Sequence, residues 1–182
     1  KKVTVLLADG FEEIEALTVV DLLRRAKVYV DTVSITDDYT VRGAHGIPVQ
    51  TEDLITEIDF KESDMIVLPG GMPGTTNLKE DENVRKAVQE AYDDGRYVAA
   101  ICAAPTILAD MGLLKGKRAT CYPDMESEIE DAYLTGAPVA TDENIITSQG
   151  VGTAIDFALK LIEVLISEEK AVEIADSIVY QR

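Results

Sequence analysis

The apolar and polar positions of this chain follow two alternating periods. Residues 2–8 (KVTVLLA) form a short apolar run rich in β-branched side chains, the pattern of a buried strand. Residues 12–26 (EEIEALTVVDLLRRA) switch to the helical period, and 28–35 (VYVDTVSI) alternate as a strand does. YTVRGAHGIPVQTE (39–52) predicts a hairpin turning near Gly43 to Gly46. DMIVLP (64–69) is a buried strand, ENVRKAVQEAYDDG (82–95) a helix with a glycine stop, and YVAAI (97–101) a further strand. PTILADMGLL (105–114) begins a helix with proline in its first turn. Short strands are expected at 118–122, 138–141 and 144–148, and helices at 153–166 and 168–179. Strands separated by helices predict an α/β architecture, a mostly parallel sheet with helices on both faces. No repeat, low-complexity tract or linker interrupts the pattern, so a single domain over residues 1–182 is expected.

In open α/β sheets the ligand crevice lies beyond the carboxyl ends of the strands. DGFEEIEA follows the first strand, GGMPGTTNL the strand at 64–69, CAAPT the strand at 97–101, and QGVGTA the strand at 144–148. Glycines, carboxylates and one cysteine therefore collect at one edge of one sheet.

Composition narrows the function classes. With 46% hydrophobic and 28% charged residues among 182, the chain suits one well-buried globular domain. No apolar run approaches a bilayer span, and no basic-then-apolar export signal opens the sequence. A net charge of −17 argues against nucleic-acid or anionic-membrane partners, which are polyanions. The only cysteines, Cys102 and Cys121, read as free thiols in a reducing cytoplasm.

Cys102 is the sharpest feature. A residue in a tight strand-to-helix turn projects above the sheet edge, and Ala100, Ala103 and Ala104 leave room for a crowded backbone. The helix beginning near Ala104 would aim free N–H groups and its positive end at the sulfur, so a depressed thiol pKa is expected. The competing reading is a packed core cysteine. Gly70 and Gly71 follow a buried strand and, with the Ala103 N–H, can form an oxyanion hole for an adduct on Cys102, or simply make a tight turn. Gly150 and Gly152 read as structural. Glu15 falls at the border of the apolar face of its helix, where a half-buried carboxyl has a raised pKa and can carry a proton near neutrality. Alone it reads as a helix-start acid; beside Cys102 it reads as functional. Glu12 and Glu13 favour the helix N-terminus electrostatically. Tyr122 is expected in core packing, although its phenol can reach the crevice, and Cys121 as a packed thiol. His45, the one histidine, is expected away from the strand ends, which leaves no Cys-His pair. One histidine and two separated cysteines make a poor zinc site, and DGFEE lacks the spaced glycines of a nucleotide fingerprint, so neither metal nor cofactor is expected.

Taken together, ADGFEEIEA, IVLPGGMPG, AAICAAP and TSQGVGTAIDFALKLIE occur in an order and spacing that resembles the ThiJ/PfpI family, in the branch of the Parkinsonism-linked deglycase and bacterial YajL. The resemblance covers essentially the whole chain. It implies a flavodoxin-like three-layer sandwich related to glutamine amidotransferase domains, and a homodimer. It matches Cys102 to the family's reactive, oxidation-prone cysteine, Glu15 to the acid that hydrogen-bonds to it, and Gly70, Gly71 and Ala103 to the surrounding backbone. Two departures count against a Cys-His enzyme: Ala103 stands where the protease-like branch has histidine, and Tyr122 where human-like members have one. The implied activity is cofactor-independent glyoxalase or deglycase chemistry on methylglyoxal or its adducts, in stress protection. The alternative is a redox-responsive, chaperone-like protein whose cysteine is oxidised without turnover. A cysteine hydrolase lacks its partner histidine, and nothing in the residues supports a thiamine role.

Overall fold

A computed structural model of the chain describes residues 1–181. β1 (Lys2–Leu7) is buried along all but its first residue, a pattern that only an interior strand covered on both faces satisfies. It leads into α1 (Glu13–Arg25), β2 (Tyr29–Ser34), the hairpin of β3 (Thr40–Arg42) and β4 (Pro48–Gln50), and a short β5 (Asp53–Leu54). Then come β6 (Met65–Leu68), α2 (Gly74–Glu80), α3 (Glu82–Asp93), β7 (Tyr97–Ile101), α4 (Pro105–Asp110), β8 (Arg118–Ala119) and β9 (Tyr133–Leu134). β10 (Val139–Asp142), β11 (Ile145–Ser148), α5 (Ala154–Leu165) and α6 (Glu168–Ser177) close the chain.

Seven strands form one sheet in the order β10-β11-β7-β6-β1-β2-β5. All pair in parallel except β10, which runs against β11. Side chains alternate across the sheet and fill two apolar layers. Val3, Val5 and Leu7 pack with Val19 of α1, Phe157 and Leu161 of α5 and Ile174 of α6. Leu6, Ile66 and Leu68 pack on the other face with Leu78 of α2, Val88 of α3 and Ile107 of α4. This is the expected flavodoxin-like three-layer sandwich. Among the described residues no helix is long and apolar enough to cross a membrane.

Several elements depart from expectation. α2 was not expected, because GTTNLKE carries no apolar stripe; its start is fixed instead by Thr75, whose N–H and hydroxyl both donate to the Gly71 carbonyl (2.9 Å each). The helix expected to run to residue 114 stops at Asp110, where Gly112 takes a φ of +75° just beyond the end. The strand expected at 118–122 shortens to β8, which pairs with β9 outside the main sheet.

Candidate active site

Cys102 lies immediately beyond β7 and three residues before α4, with a φ of +65°, a left-handed conformation that costs a side-chain-bearing residue about 1–3 kcal/mol. Two backbone bonds hold it there. Its N–H donates to the Ser148 carbonyl at the end of β11 (3.0 Å), and its own carbonyl accepts the Tyr122 N–H (2.8 Å). The enclosed Ala103 and Ala104 are small enough for this bend, as the sequence suggested.

Glu15, in the first turn of α1, is fully enclosed and not at a border. α1 lies along the sheet face that places its first turn against the loop after β6. One carboxyl oxygen, Oε1, accepts the Gly70 N–H (3.0 Å). The other, Oε2, is buried with no hydrogen-bond partner of ordinary geometry, and the group beside the carboxyl is the Cys102 thiol. Both residues crowd against Gly70: a Cβ there would lie 2.7 Å from both Glu15 Oε1 and Cys102 Cβ. The Gly70 N–H is therefore committed to Glu15 and is not an oxyanion donor. Gly71, at a φ of +92°, passes so close to the loop after β1 that a Cβ would sit 2.4 Å from the Glu12 nitrogen. Its N–H meets no acceptor among the described residues. The Ala103 N–H is near enough to the Cys102 sulfur to favour its charged form.

Burial pushes the Glu15 carboxyl up to about 7, against hydrogen bonds from Cys102 and Gly70 that favour the charged form. The Cys102 thiol is not depressed. Burial, then the charge of Glu15 and its hydrogen bond to the sulfur, push it up to about 12, while the Ala103 N–H pulls the other way. α4 has only six residues, and its positive end is outweighed by burial beside a carboxylate. The pair thus starts as a thiol next to a carboxyl group that changes protonation near neutrality.

Tyr122 is not a core residue: it is 44% exposed, with its N–H bonded to the Cys102 carbonyl. Gly150 lies beside the site: a Cβ there would sit 3.9 Å from both Cys102 Sγ and the ring carbon Cδ2 of Tyr122. Only the position of QG after β11 hinted at this in the sequence. Cys121 is the expected packed thiol, donating to the Tyr122 carbonyl (3.3 Å), and burial pushes it up to about 11.

His45 also departs from expectation. The β3–β4 hairpin folds onto the loop after β1, with Gly10 N–H donating to Arg42 and Ala44 N–H to Phe11 (2.8 Å each). That brings His45 to the N-terminus of α1. Glu13 accepts the backbone N–H groups of His45 (2.9 Å) and Ile47 (3.2 Å), and its other oxygen lies 3.0 Å from His45 Nδ1. Glu12 Oε2 lies 3.3 Å from the same nitrogen. The three side chains thus bring potential metal-ligand atoms within 4.8 Å of one another, a cluster the sequence did not predict. Each is also satisfied by its neighbours, Glu12 additionally capping α1 through the Ile14 N–H (3.3 Å).

The family model described as the DJ-1/PfpI family matches residues 1–164. Protein DJ-1 homolog B of Arabidopsis thaliana is 40% identical over 98% of this chain, which spans only 41% of that longer protein. Protein dj-1beta of Drosophila melanogaster is 36% identical over 96% of this chain and 95% of its own. The glutathione-independent glyoxalase DJ-1 of Schizosaccharomyces pombe is 33% identical over 93% of each. Among solved structures, oxidized Toxoplasma gondii DJ-1 superposes with a TM-score of 0.94 at 36% identity, covering 100% of this chain and 99% of the other. With a family match over most of its length and relatives of this similarity, the chain belongs to the DJ-1/PfpI family.

Proposed function

We propose that the chain, acting as one ThiJ/PfpI-type domain, is a cofactor-independent glyoxalase or deglycase that works on methylglyoxal or its adducts in stress protection. The observation that carries this reading is the buried Glu15 carboxyl, one oxygen bonded to the Gly70 N–H and the other left to the Cys102 thiol beside it. The name of the fission-yeast relative supports it at the level of the family.

Cys102 is the nucleophile and Glu15 the proton carrier. The sulfur bonds to the aldehyde carbon as the thiol proton passes to Glu15, and the carbonyl electron pair moves to oxygen, which takes up that proton. The Ala103 N–H beside the sulfur and the Gly71 N–H, which meets no acceptor among the described residues, are assigned as the donors to the developing oxyanion. Glu15 then takes the proton from the sulfur-bearing carbon as the adjacent ketone oxygen is protonated, giving an enediol. It returns that proton to the former ketone carbon as the hydroxyl on the sulfur-bearing carbon gives up its proton to become the thioester carbonyl. Water cleaves the thioester to the hydroxy acid and restores the thiol. The sum is one dicarbonyl plus one water, with no external oxidant or reductant. The test is lactate formation from methylglyoxal without glutathione or metal. Many turnovers by the wild type and none by Cys102→Ser are expected; stoichiometric loss of methylglyoxal without lactate would overturn the assignment.

The Glu15 oxygen beside the Cys102 sulfur also favours a second reading, redox response. Once protonated, it can donate to an oxidised Cys102 sulfur and hold it part-way along the oxidation ladder. Mild peroxide should then convert Cys102 and not Cys121; preferential oxidation of Cys121 would sink this reading.

The acidic surface and free thiols support a cytoplasmic protein acting on small aldehydes or glycated substrates. A homodimer is supported by the apolar Ile14 and Leu17 left exposed on α1, with Ile155 of α5 beside Leu17. Light scattering at micromolar concentration should give twice the chain mass.

A further inference from the structure

The flanks of Cys102 are unequal. Toward β6 the thiol faces Gly70 and the Glu15 carboxyl. Its backbone is clamped by Ser148 and Tyr122, and Ala103 and Ala104 behind it are enclosed. Toward residue 150 there is room. A Cβ built on Gly150 would come within 4 Å of only two atoms, Cys102 Sγ and Tyr122 Cδ2, at 3.9 Å each. One methyl group would therefore fit without collision, and it would touch both the sulfur and the aromatic edge.

Backbone geometry does not explain the glycine. Gly150 has a φ of 168°, extended backbone that alanine adopts freely. Nor can this wall easily move away. Gly150 N–H donates to Thr153 Oγ1 (3.1 Å), Thr153 N–H donates to the Gly150 carbonyl (2.9 Å), and Thr153 Oγ1 is itself 2.7 Å from Ser148 Oγ. The backbone of Tyr122 is fixed too, because its N–H is bonded to the Cys102 carbonyl and Pro123 follows.

We propose that Gly150 and Tyr122 are the specificity-determining pair of this site, the missing side chain and the aromatic rim together setting the width of the approach to Cys102. The ligand class is an α-oxoaldehyde whose ketone substituent is small, or flat enough to lie against the Tyr122 ring. This rests on reading Cys102 as the nucleophile, and the test separates the two ideas.

Wild type, Gly150→Ala, Tyr122→Ala and the double variant would be labelled with iodoacetamide and with a bulky pyrene maleimide, and the rate of mass gain at Cys102 followed. One added methyl in a fitted approach discriminates by roughly tenfold. Gly150→Ala should therefore slow pyrene maleimide about tenfold while leaving iodoacetamide within about twofold. Adding Tyr122→Ala should restore the bulky reagent. The ratio of kcat/KM for phenylglyoxal to that for methylglyoxal should move in parallel, and thermal unfolding should show that all four proteins are folded. Equal slowing of both reagents, no slowing of either, or no rescue by Tyr122→Ala would overturn the proposal. Labelling needs no turnover. A wild type that makes no lactate would defeat the glyoxalase reading while the reagent ratios still judge the gate; turnover with unmoved ratios would defeat the gate alone.

Discussion

Glu15 Oε1 and Cys102 Cβ converge on the bare α-carbon of Gly70, each 2.7 Å from the point where a side chain on that residue would begin. The contact between carboxyl and thiol therefore exists because residue 70 has no side chain. Gly70→Ala should drive the two apart and disturb the Gly70 N–H bond that orients Glu15. Misplacement of a reacting group by about 1 Å costs on the order of 100-fold in rate. The expected result is a folded protein with at least that loss in lactate formation. Retained turnover would mean that the pair does not act together.

Glu15→Gln makes two readouts move in opposite directions. The charge of Glu15 is among the causes that hold the Cys102 thiol up at about 12. Removing that charge should lower the thiol pKa and speed alkylation of Cys102 at pH 8. Turnover should nevertheless fall, by about 100-fold or more, because glutamine cannot carry the proton between carbons. The pH dependence of the iodoacetamide rate, set beside lactate formation, measures both. If alkylation and turnover fall together, Glu15 activates the thiol and does not shuttle the proton.

Stability should carry the imprint of the same carboxyl. In the folded chain Glu15 keeps its proton up to about pH 7; unfolded, it releases it near 4.5. Between those values the folded state binds more protons, so stability falls as pH rises, by roughly 3 kcal/mol across the interval. The contribution is fully present below pH 4.5 and gone above about 7. Asp31, buried on β2 with Oδ1 unpartnered and Asp53 beside it, is also raised to about 7 and acts in the same direction. Glu13 and Glu52 are lowered, so their contributions are lost only at more acid pH. Urea unfolding at pH 5 and pH 8 should show a smaller difference for Glu15→Gln and for Asp31→Asn than for wild type. An unchanged difference would mean that these carboxyls are ionised in the folded chain.

The sheet was legible because its signals are local: β-branched runs, helical periods and glycine stops sit within single windows. The bend at Cys102 was legible for the same reason, since its alanines and Pro105 adjoin it. What escaped depends on distant parts of the chain. The helix beside Cys102 suggested a low thiol pKa, but burial and a carboxylate from α1 decide it the other way. Glu15 looked like a border residue until the loop after β6 closed over it. Gly70 and Gly150 look alike as post-strand glycines, yet one lets two side chains meet where its own would stand and the other leaves room for a methyl group. Tyr122 reads as core by composition and ends on the rim because its backbone is bonded to Cys102.

His45 escaped for the same reason, and its surroundings give the last prediction. Glu13 is 3% exposed and reaches across to the hairpin, accepting the N–H groups of His45 and Ile47. Burial alone would raise its pKa, but these bonds and the His45 ring hold it below the usual carboxylate value. Gly43 makes the room: a Cβ there would fall 2.3 Å from the Glu13 carboxyl carbon. Glu13→Ala removes the acceptor and leaves two hairpin N–H groups unpaired, at a cost of roughly 1–3 kcal/mol for each group that stays buried. Gly43→Ala keeps the acceptor but displaces it, so both variants should loosen the same contact. Hydrogen exchange is expected to accelerate at His45 and Ile47 in each of them, with the central strands β1 and β6 remaining protected. Acceleration spread evenly over the sheet would instead make Glu13 part of the global core, and unchanged exchange at His45 would mean that the hairpin is held by its backbone bonds to Gly10 and Phe11 alone.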